Sequence, residues 1–134
     1  MKNYSTAIFA GKTKAEIRDI VQESYRLLQG KIIVNDDKKI VILINKDGRK
    51  KTAKPLMSKD KAVIVLDIAN VLKNCIYTNW GAPKPNHIKN HIAKGFLNFQ
   101  YKCVIDGVRK NFRVSIMITN KLVFQYSLEH NDKN

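Results

Sequence analysis

The chain is 134 residues long and carries 25 Lys and Arg against 11 Asp and Glu, a formal net charge of +14 with an isoelectric point near 9.9. A hydrophobic content of 44% beside 27% charged residues is that of one ordinary globular domain, large enough to build a core. Neither a membrane span nor a secretory signal is expected: the best candidate span, AVIVLDIANVL, is short and interrupted by Asp67, and MKNYSTAIFAGK is too weak for a secretory signal.

The expectation is a cytoplasmic protein, of the producing or the target cell, or a module that some larger machine delivers there, and the charge is the informative quantity. Folded domains seldom carry that much self-repulsion without a polyanion to meet. Nucleic acid is the first expectation, an anionic membrane surface the second and an acidic protein the third. A lysine-rich composition inherited from an AT-rich genome would raise Glu and Asp alongside Lys, and here the acids stay low.

Thr13-Lys-Ala-Glu16 is a capping-box pattern, and Ile17, Ile20, Val21 and Leu28 follow at helical spacing. The pattern predicts a helix over 14–29, stopped by Gly30. KIIVN (31–35) and KIVILIN (39–45) are β-branched runs on either side of Asp36-Asp37-Lys38, which reads as a hairpin. Asp47-Gly48 marks a further turn, and RKKTAK (49–54) reads as a polar strand ended by Pro55. Ser58 or Asp60 caps a second helix over about 61–74. A buried strand at 63–66 is the alternative, because β-branched residues cluster there. Residues 79–95, NWGAPKPNHIKNHIAKG, read as a long loop broken by Pro83 and Pro85, and long loops in compact domains tend to be functional. The last forty residues give three strands, 96–106, 108–119 and 122–129, turned at Asp106-Gly107 and Asn120-Lys121. In the middle strand Phe112, Val114, Ile116 and Ile118 face one way, and Arg113, Ser115 and Met117 the other. Arg113, Ser115, Gln125 and Ser127 share a face only if the register allows, and register is not readable from sequence. The expected fold is α+β, with N-terminal helices packed on one face of an antiparallel sheet that ends in a three-stranded meander. The chain reads as a single domain over 1–134, structured over 13–130, with flexible ends at 1–12 and 131–134. Cys75 and Cys103 lie in apolar segments without CxxC spacing and read as buried thiols; whether they pair is open.

His87 and His91 stand four apart, the spacing of a helical metal pair, but position 88 is isoleucine where a metalloprotease motif has glutamate. Lys84, Lys89 and Lys94 around them would repel a dication, so no metal is expected. No GxSxG elbow and no glycine-rich phosphate loop occurs, so neither a serine hydrolase nor a nucleotide cofactor is expected. Metal-free RNA cleavage needs fewer parts: groups that move protons at the 2′-OH and the 5′-oxygen, and cations for the phosphorane. Histidines 87, 91 and 130, Lys84, Lys89, Arg109, Arg113, Ser115, Tyr126 and Ser127 include every type required. Aromatic and basic residues also interleave, Trp80, Phe96, Phe99 and Tyr101 with Lys94, Lys102, Arg109 and Lys110, a pattern that suits single-stranded RNA. Phe112 and Phe124 read as core, and Trp80, in a polar Asn-Trp-Gly turn, as the exposed ring.

TKAEIRDIVQESYRLLQG, INKDGRKKT, KAVIVLDIANVLKNCIY and QYKCVIDGVRKNFRVSIMITNKLVFQYSLEH, in this order, resemble a family. The chain is similar to phage and mobile-element domains of the barnase/EndoU/colicin/RelE superfamily and to the related large polyvalent protein-associated domains. The resemblance implies a metal-independent endoribonuclease, a tRNA-cleaving toxin domain working by 2′-OH transesterification on the open sheet face. It implies His87 or His91 as general base or acid, Arg113 and Lys89 on the phosphate, and Ser127 and Tyr126 as hydroxyl donors. Lys51 and Lys54 become phosphate clamps, with Trp80, Lys84, Lys94 and Arg109 also on RNA. Several relatives have histidine where this chain has Ser127, which keeps a non-catalytic RNA-binding accessory domain as the alternative. The expected partners are RNA, above all tRNA, and an acidic immunity protein or antitoxin. No membrane, no cofactor and a monomeric chain are expected.

Overall fold

In the computed structural model, which describes residues 1–44, 58–81, 93–119 and 124–130, helix α1 spans Lys14–Leu28. Its capping box is complete: Glu16 N donates to Thr13 Oγ1 at 3.2 Å and Thr13 N to Glu16 Oε1 at 2.9 Å. Ile17, Val21 and Tyr25, one turn apart, are its buried stripe. The chain then turns through Gly30, whose φ of 90° a side chain would strain, into strands β2 (Ile32–Val34) and β3 (Val41–Leu43). These pair antiparallel as the sequence suggests, with Ile33 opposite Ile42. Asn35, at the hairpin's turn, is wholly buried. Its Nδ2 donates to Leu72 O (2.8 Å) and Cys75 O (3.0 Å), while Lys38 N donates to its Oδ1 (2.8 Å). One amide thus fastens the hairpin to the end of the following helical segment.

That segment is helical, so the alternative strand at 63–66 is not adopted, but it is two helices rather than one. Helix α2 spans Lys59–Leu66, capped by Ser58, and α3 spans Ile68–Asn74. The break is at Asp67 (φ −108°, ψ 24°). Ala62, Val63, Ile64 and Val65 are consecutive and all buried, more than one stripe of a straight helix can hide. Bending at Asp67 turns Ile68, Val71 and Leu72 into the same core. Cys75 and Cys103 are both buried and free, so they form no disulfide.

The main sheet contains β1 (Asn3–Tyr4), β4 (Ile76–Gly81), β5 (Ala93–Ile105), β6 (Val108–Thr119) and β7 (Phe124–His130). Strands β5, β6 and β7 run as an antiparallel meander, and Asp106-Gly107 makes the tight turn at φ 51° and 80°. Strands β4 and β1 lie one after the other along the free edge of β5, β4 antiparallel at 96–100 and β1 parallel at 104–105. Two expectations change here. The loop expected over 79–95 is shorter, because Asn79, Trp80 and Gly81 pair with Asn98, Leu97 and Phe96, and β5 already starts at Ala93. The N-terminal residues, expected as a loose end, include β1 and a 3-10 helix at Thr6–Phe9 with Phe9 buried. Thr6 anchors them, donating through N (2.9 Å) and Oγ1 to the Asp106 carboxylate. The turns at Asp47-Gly48 and Asn120-Lys121 and the strand over 49–54 lie outside the described residues.

The architecture is therefore α+β, as expected, with the helices and the β2–β3 hairpin on one face of the sheet. Leu97, Phe99, Tyr101, Cys103 and Ile105 of β5 and Phe112, Val114 and Ile116 of β6 join the helical residues in one core.

Candidate nucleic-acid interface

Strand alternation sends the intervening residues to the opposite face. There Asn98, Gln100, Lys102 and Val104 of β5 stand opposite Ser115, Arg113, Asn111 and Arg109 of β6, all intermediate or exposed. The pairing with β7 sets Ser127 opposite Ser115, Glu129 opposite Arg113 and Gln125 opposite Met117. The polar row that register left undecided in the sequence is thus one row. Its centre is ordered: Ser115 Oγ donates to Asn98 Oδ1 at 2.8 Å, and Thr78 Oγ1 to Asn98 O at 2.9 Å. The Asn111 Oδ1 atom is buried and accepts no hydrogen bond among the described residues. One end of the face is apolar, where Met117, 3% exposed, meets Phe96. The rest offers three cations, Lys102, Arg109 and Arg113, among amides and hydroxyls.

The candidate residues separate. Arg113 and Arg109 are exposed on this face, and Ser127 is at the register position beside Ser115. Tyr126 falls opposite Ile116, a core residue, so it and Ser127 occupy alternate positions. Trp80 is 51% exposed, as its polar neighbours suggested, but it belongs to a strand and pairs with the core residue Leu97. Its ring lies over Gly95, where an added Cβ would come within 2.1 Å of the indole. Lys110 leaves the basic row, since it faces the helices and pairs with Asp60 at 3.4 Å. Lys94 is the second residue of β5. His87, His91, Lys51, Lys54, Lys84 and Lys89 lie outside the described residues.

The residues that sequence reasoning missed are Asn98 and Gln100, and the signal for them was present. In LNFQYKC the apolar and polar positions alternate, which marks a strand with one wet face. Also missed was a polar cluster at the edge of β5. Lys2 Nζ (2.7 Å), Tyr4 OH (2.6 Å) and Asn70 Nδ2 (3.1 Å) all donate to Asp67 Oδ2. Tyr4 spends its only proton on that carboxylate, so Tyr101 OH, 2.6 Å away, donates to Tyr4 and accepts from Asn70 at 3.3 Å. Burial, with the Asp67 and Tyr101 hydrogen bonds behind it, drives the Tyr4 hydroxyl far above its ordinary value, and the bond to Asp67 raises Lys2. Only distant segments could reveal this cluster, because residues 2, 67 and 101 meet through folding alone.

Among the described residues no three His, Cys, Asp or Glu side chains gather as metal ligands would. No described helix is long and apolar enough to cross a membrane. No match was found for the chain among curated proteins or among solved structures. A family model does match, that of large polyvalent protein-associated domain 3, over residues 12–123. The match covers α1, the β2–β3 hairpin, α2, α3 and strands β4, β5 and β6. It bears out the polyvalent-protein part of the sequence resemblance and does not extend to the nuclease superfamily. The chain belongs to the family of large polyvalent protein-associated domain 3.

Proposed function

We propose that the chain binds single-stranded RNA across the polar face of its main sheet. The observation that carries the reading is the segregation of side chains by strand alternation. Lys102, Arg109 and Arg113 share one face with Asn98, Gln100, Asn111 and Ser115, while Leu97, Phe99, Tyr101, Phe112, Val114 and Ile116 of the same strands are buried opposite. Cations hold phosphates, and amides and hydroxyls meet sugar hydroxyls and base edges. The net charge of +14 supplies long-range attraction for any such strand. A phage or mobile-element setting, in keeping with a polyvalent-protein domain, supports the same reading.

A second reading goes further: metal-independent cleavage of RNA, tRNA above all, by attack of the 2′-OH on its own phosphate. The sequence favours it: His87 and His91 stand with Lys84 and Lys89 in the connection between β4 and β5. In this reading one imidazole takes the 2′-OH proton and the other protonates the leaving 5′-oxygen. Arg113 and Lys89 carry the phosphorane charge, and Ser127 is the hydroxyl donor, since the register sets Tyr126 at the alternate position opposite the core residue Ile116. A toxin of this kind would travel with an acidic immunity protein or antitoxin, drawn by the same charge.

One experiment separates the two. The protein is incubated with total tRNA in EDTA, and products are analysed for 2′,3′-cyclic phosphate ends. Discrete fragments that vanish in His87→Ala or His91→Ala support cleavage. Retarded but intact tRNA supports binding alone, and tRNA that is neither cut nor retarded refutes both.

A further inference from the structure

The edge of β5 has a gap. Strand β4 covers it up to Gln100, paired with Ile76, and β1 resumes at Val104, paired with Asn3. Between them Tyr101, Lys102 and Cys103 have no strand partner on that side among the described residues. Val104 N donates outward to Lys2 O at 3.0 Å, so the Lys102 N–H and C=O, two residues earlier, point toward the same edge. A cleft of about 460 Å³ occupies the gap, lined by Met1, Lys2, Asn70, Asn74, Ile76, Gln100, Tyr101 and Lys102. That volume lies within the ~300–1,000 Å³ of small-molecule sites.

The lining combines two chemistries. Met1 and Ile76 are large apolar side chains left 65% and 55% exposed, walls on which a flat ring can rest. Between them are hydrogen-bonding groups with free capacity. The Gln100 amide makes no hydrogen bond among the described residues. Asn74 Nδ2 is occupied by Asn70 O (3.0 Å) and Asn70 Oδ1 (2.7 Å), which leaves Asn74 Oδ1 as an acceptor. Lys102 is exposed at the mouth, where the cleft meets the polar sheet face. The floor is rigid: Asn70 and Tyr101 are held by the Asp67–Tyr4 network, so neither moves freely to close the space.

From this we infer that the notch between β1 and β4 takes one adenine nucleotide of the RNA strand bound on the sheet. The inference rests on the RNA-binding reading and adds a base-selective position to it. A glutamine amide donates to adenine N7 while accepting from its N6 amino group, a bidentate match that among the bases only adenine offers on its Hoogsteen edge. Asn74 Oδ1 accepts the second N6 proton. Met1 and Ile76 sandwich the ring, and Lys102 holds the adjoining phosphate on the sheet face. A free adenine mononucleotide shares this chemistry but forgoes the phosphate contacts along the sheet.

Fluorescence anisotropy with labelled A, C and U nonamers, and isothermal titration with AMP, test the assignment on wild type, Gln100→Ala and Asn74→Ala. The expected result is roughly tenfold tighter binding of the A nonamer, the discrimination of one bidentate base contact. Gln100→Ala reduces this preference to within about twofold, weakening the A nonamer several-fold more than the C and U nonamers. Asn74→Ala reduces it partly. AMP binding weaker than the nonamer by a hundredfold or more assigns the site to a base within a strand; AMP binding as tight as the nonamer overturns that assignment in favour of a free nucleotide. Equal binding of all three nonamers, or an A preference that survives Gln100→Ala, overturns the notch while leaving the sheet face intact. Failure of every nonamer to bind overturns both readings. Both substituted residues lie at the surface, and unchanged melting temperatures show that the variants are folded.

Discussion

Asn35 is the residue whose removal the structure converts most directly into a magnitude. It is 0% exposed, and its side chain makes three short hydrogen bonds, to Leu72 O, to Cys75 O and from Lys38 N, beside a longer one to Cys75 Sγ at 3.5 Å. The two carbonyls belong to the end of α3, where a helix cannot satisfy them itself. Asn35→Ala therefore removes three bonds of about 1 kcal/mol each and leaves buried groups unpaired, a loss of roughly 2–4 kcal/mol. With a urea dependence of about 1–3 kcal/mol per molar, the unfolding midpoint falls by roughly 1–2 M. Asn35→Asp sharpens the test. It keeps the acceptor for Lys38 N but turns a second oxygen toward two carbonyls, so it is at least as damaging at pH 7. Acidification through the carboxylate range restores a proton and one donor, and part of the loss is recovered. Equilibrium urea titrations of the three proteins at pH 7 and pH 4 provide the measurement. A loss below about 1 kcal/mol for Asn35→Ala, or no recovery of Asn35→Asp in acid, refutes the reasoning. The consequence reaches the site, because Asn74, the last residue of α3, lines the notch.

Other expectations are shorter. Gly95→Ala drives a methyl into the Trp80 indole, and because the chain has one tryptophan its fluorescence reports the displacement as a red shift; an unchanged spectrum refutes the packing. The Thr6 hydroxyl and then the Thr6 amide hold the Asp106 carboxyl below its ordinary value. A depressed carboxyl stabilises the fold above the unfolded value of ~3.9 and loses that contribution as pH falls through the folded one. Asp106→Asn should therefore melt below wild type at pH 7, with the difference closing near pH 2; a constant difference contradicts the charge role. Burial pushes the Cys75 thiol up to about 12 and Cys103 up to about 11. Neither should react with a thiol reagent at pH 8 until denaturant is added, and rapid native labelling would contradict their burial.

The sequence was most legible where a local pattern carries its own partner. The Thr13–Glu16 capping box, the Asp106-Gly107 turn and the alternation of 108–118 each need only a few neighbouring residues, and each appears as read. The helix over 61–74 was legible as a helix but not as a bent one. Its break depends on four successive buried residues and on a carboxylate claimed by Lys2 and Tyr4, contacts more than sixty residues away in sequence. The loop over 79–95 was read as too long because Asn79 and Gly81, on either side of Trp80, are poor strand formers; pairing with β5 overrides their propensity. At the site, the polar row of β6 was visible as a pattern, but its union with Asn98, Gln100 and position 127 required the register. The notch was out of reach, since it exists only where β1 and β4 fall short of one another.

The central claim, that RNA lies on the polar sheet face, is tested most directly by the salt dependence of binding in two triple variants of equal charge. Lys102→Ala/Arg109→Ala/Arg113→Ala empties the face, whereas Lys12→Ala/Lys14→Ala/Lys31→Ala removes three exposed cations elsewhere. Each single-strand phosphate contact contributes about 0.7 to the slope of log K against log salt. The sheet-face variant is expected to lower that slope by about 2 and to weaken binding steeply at low salt, while the control keeps nearly the wild-type slope. Equal slopes in the two variants would contradict the account.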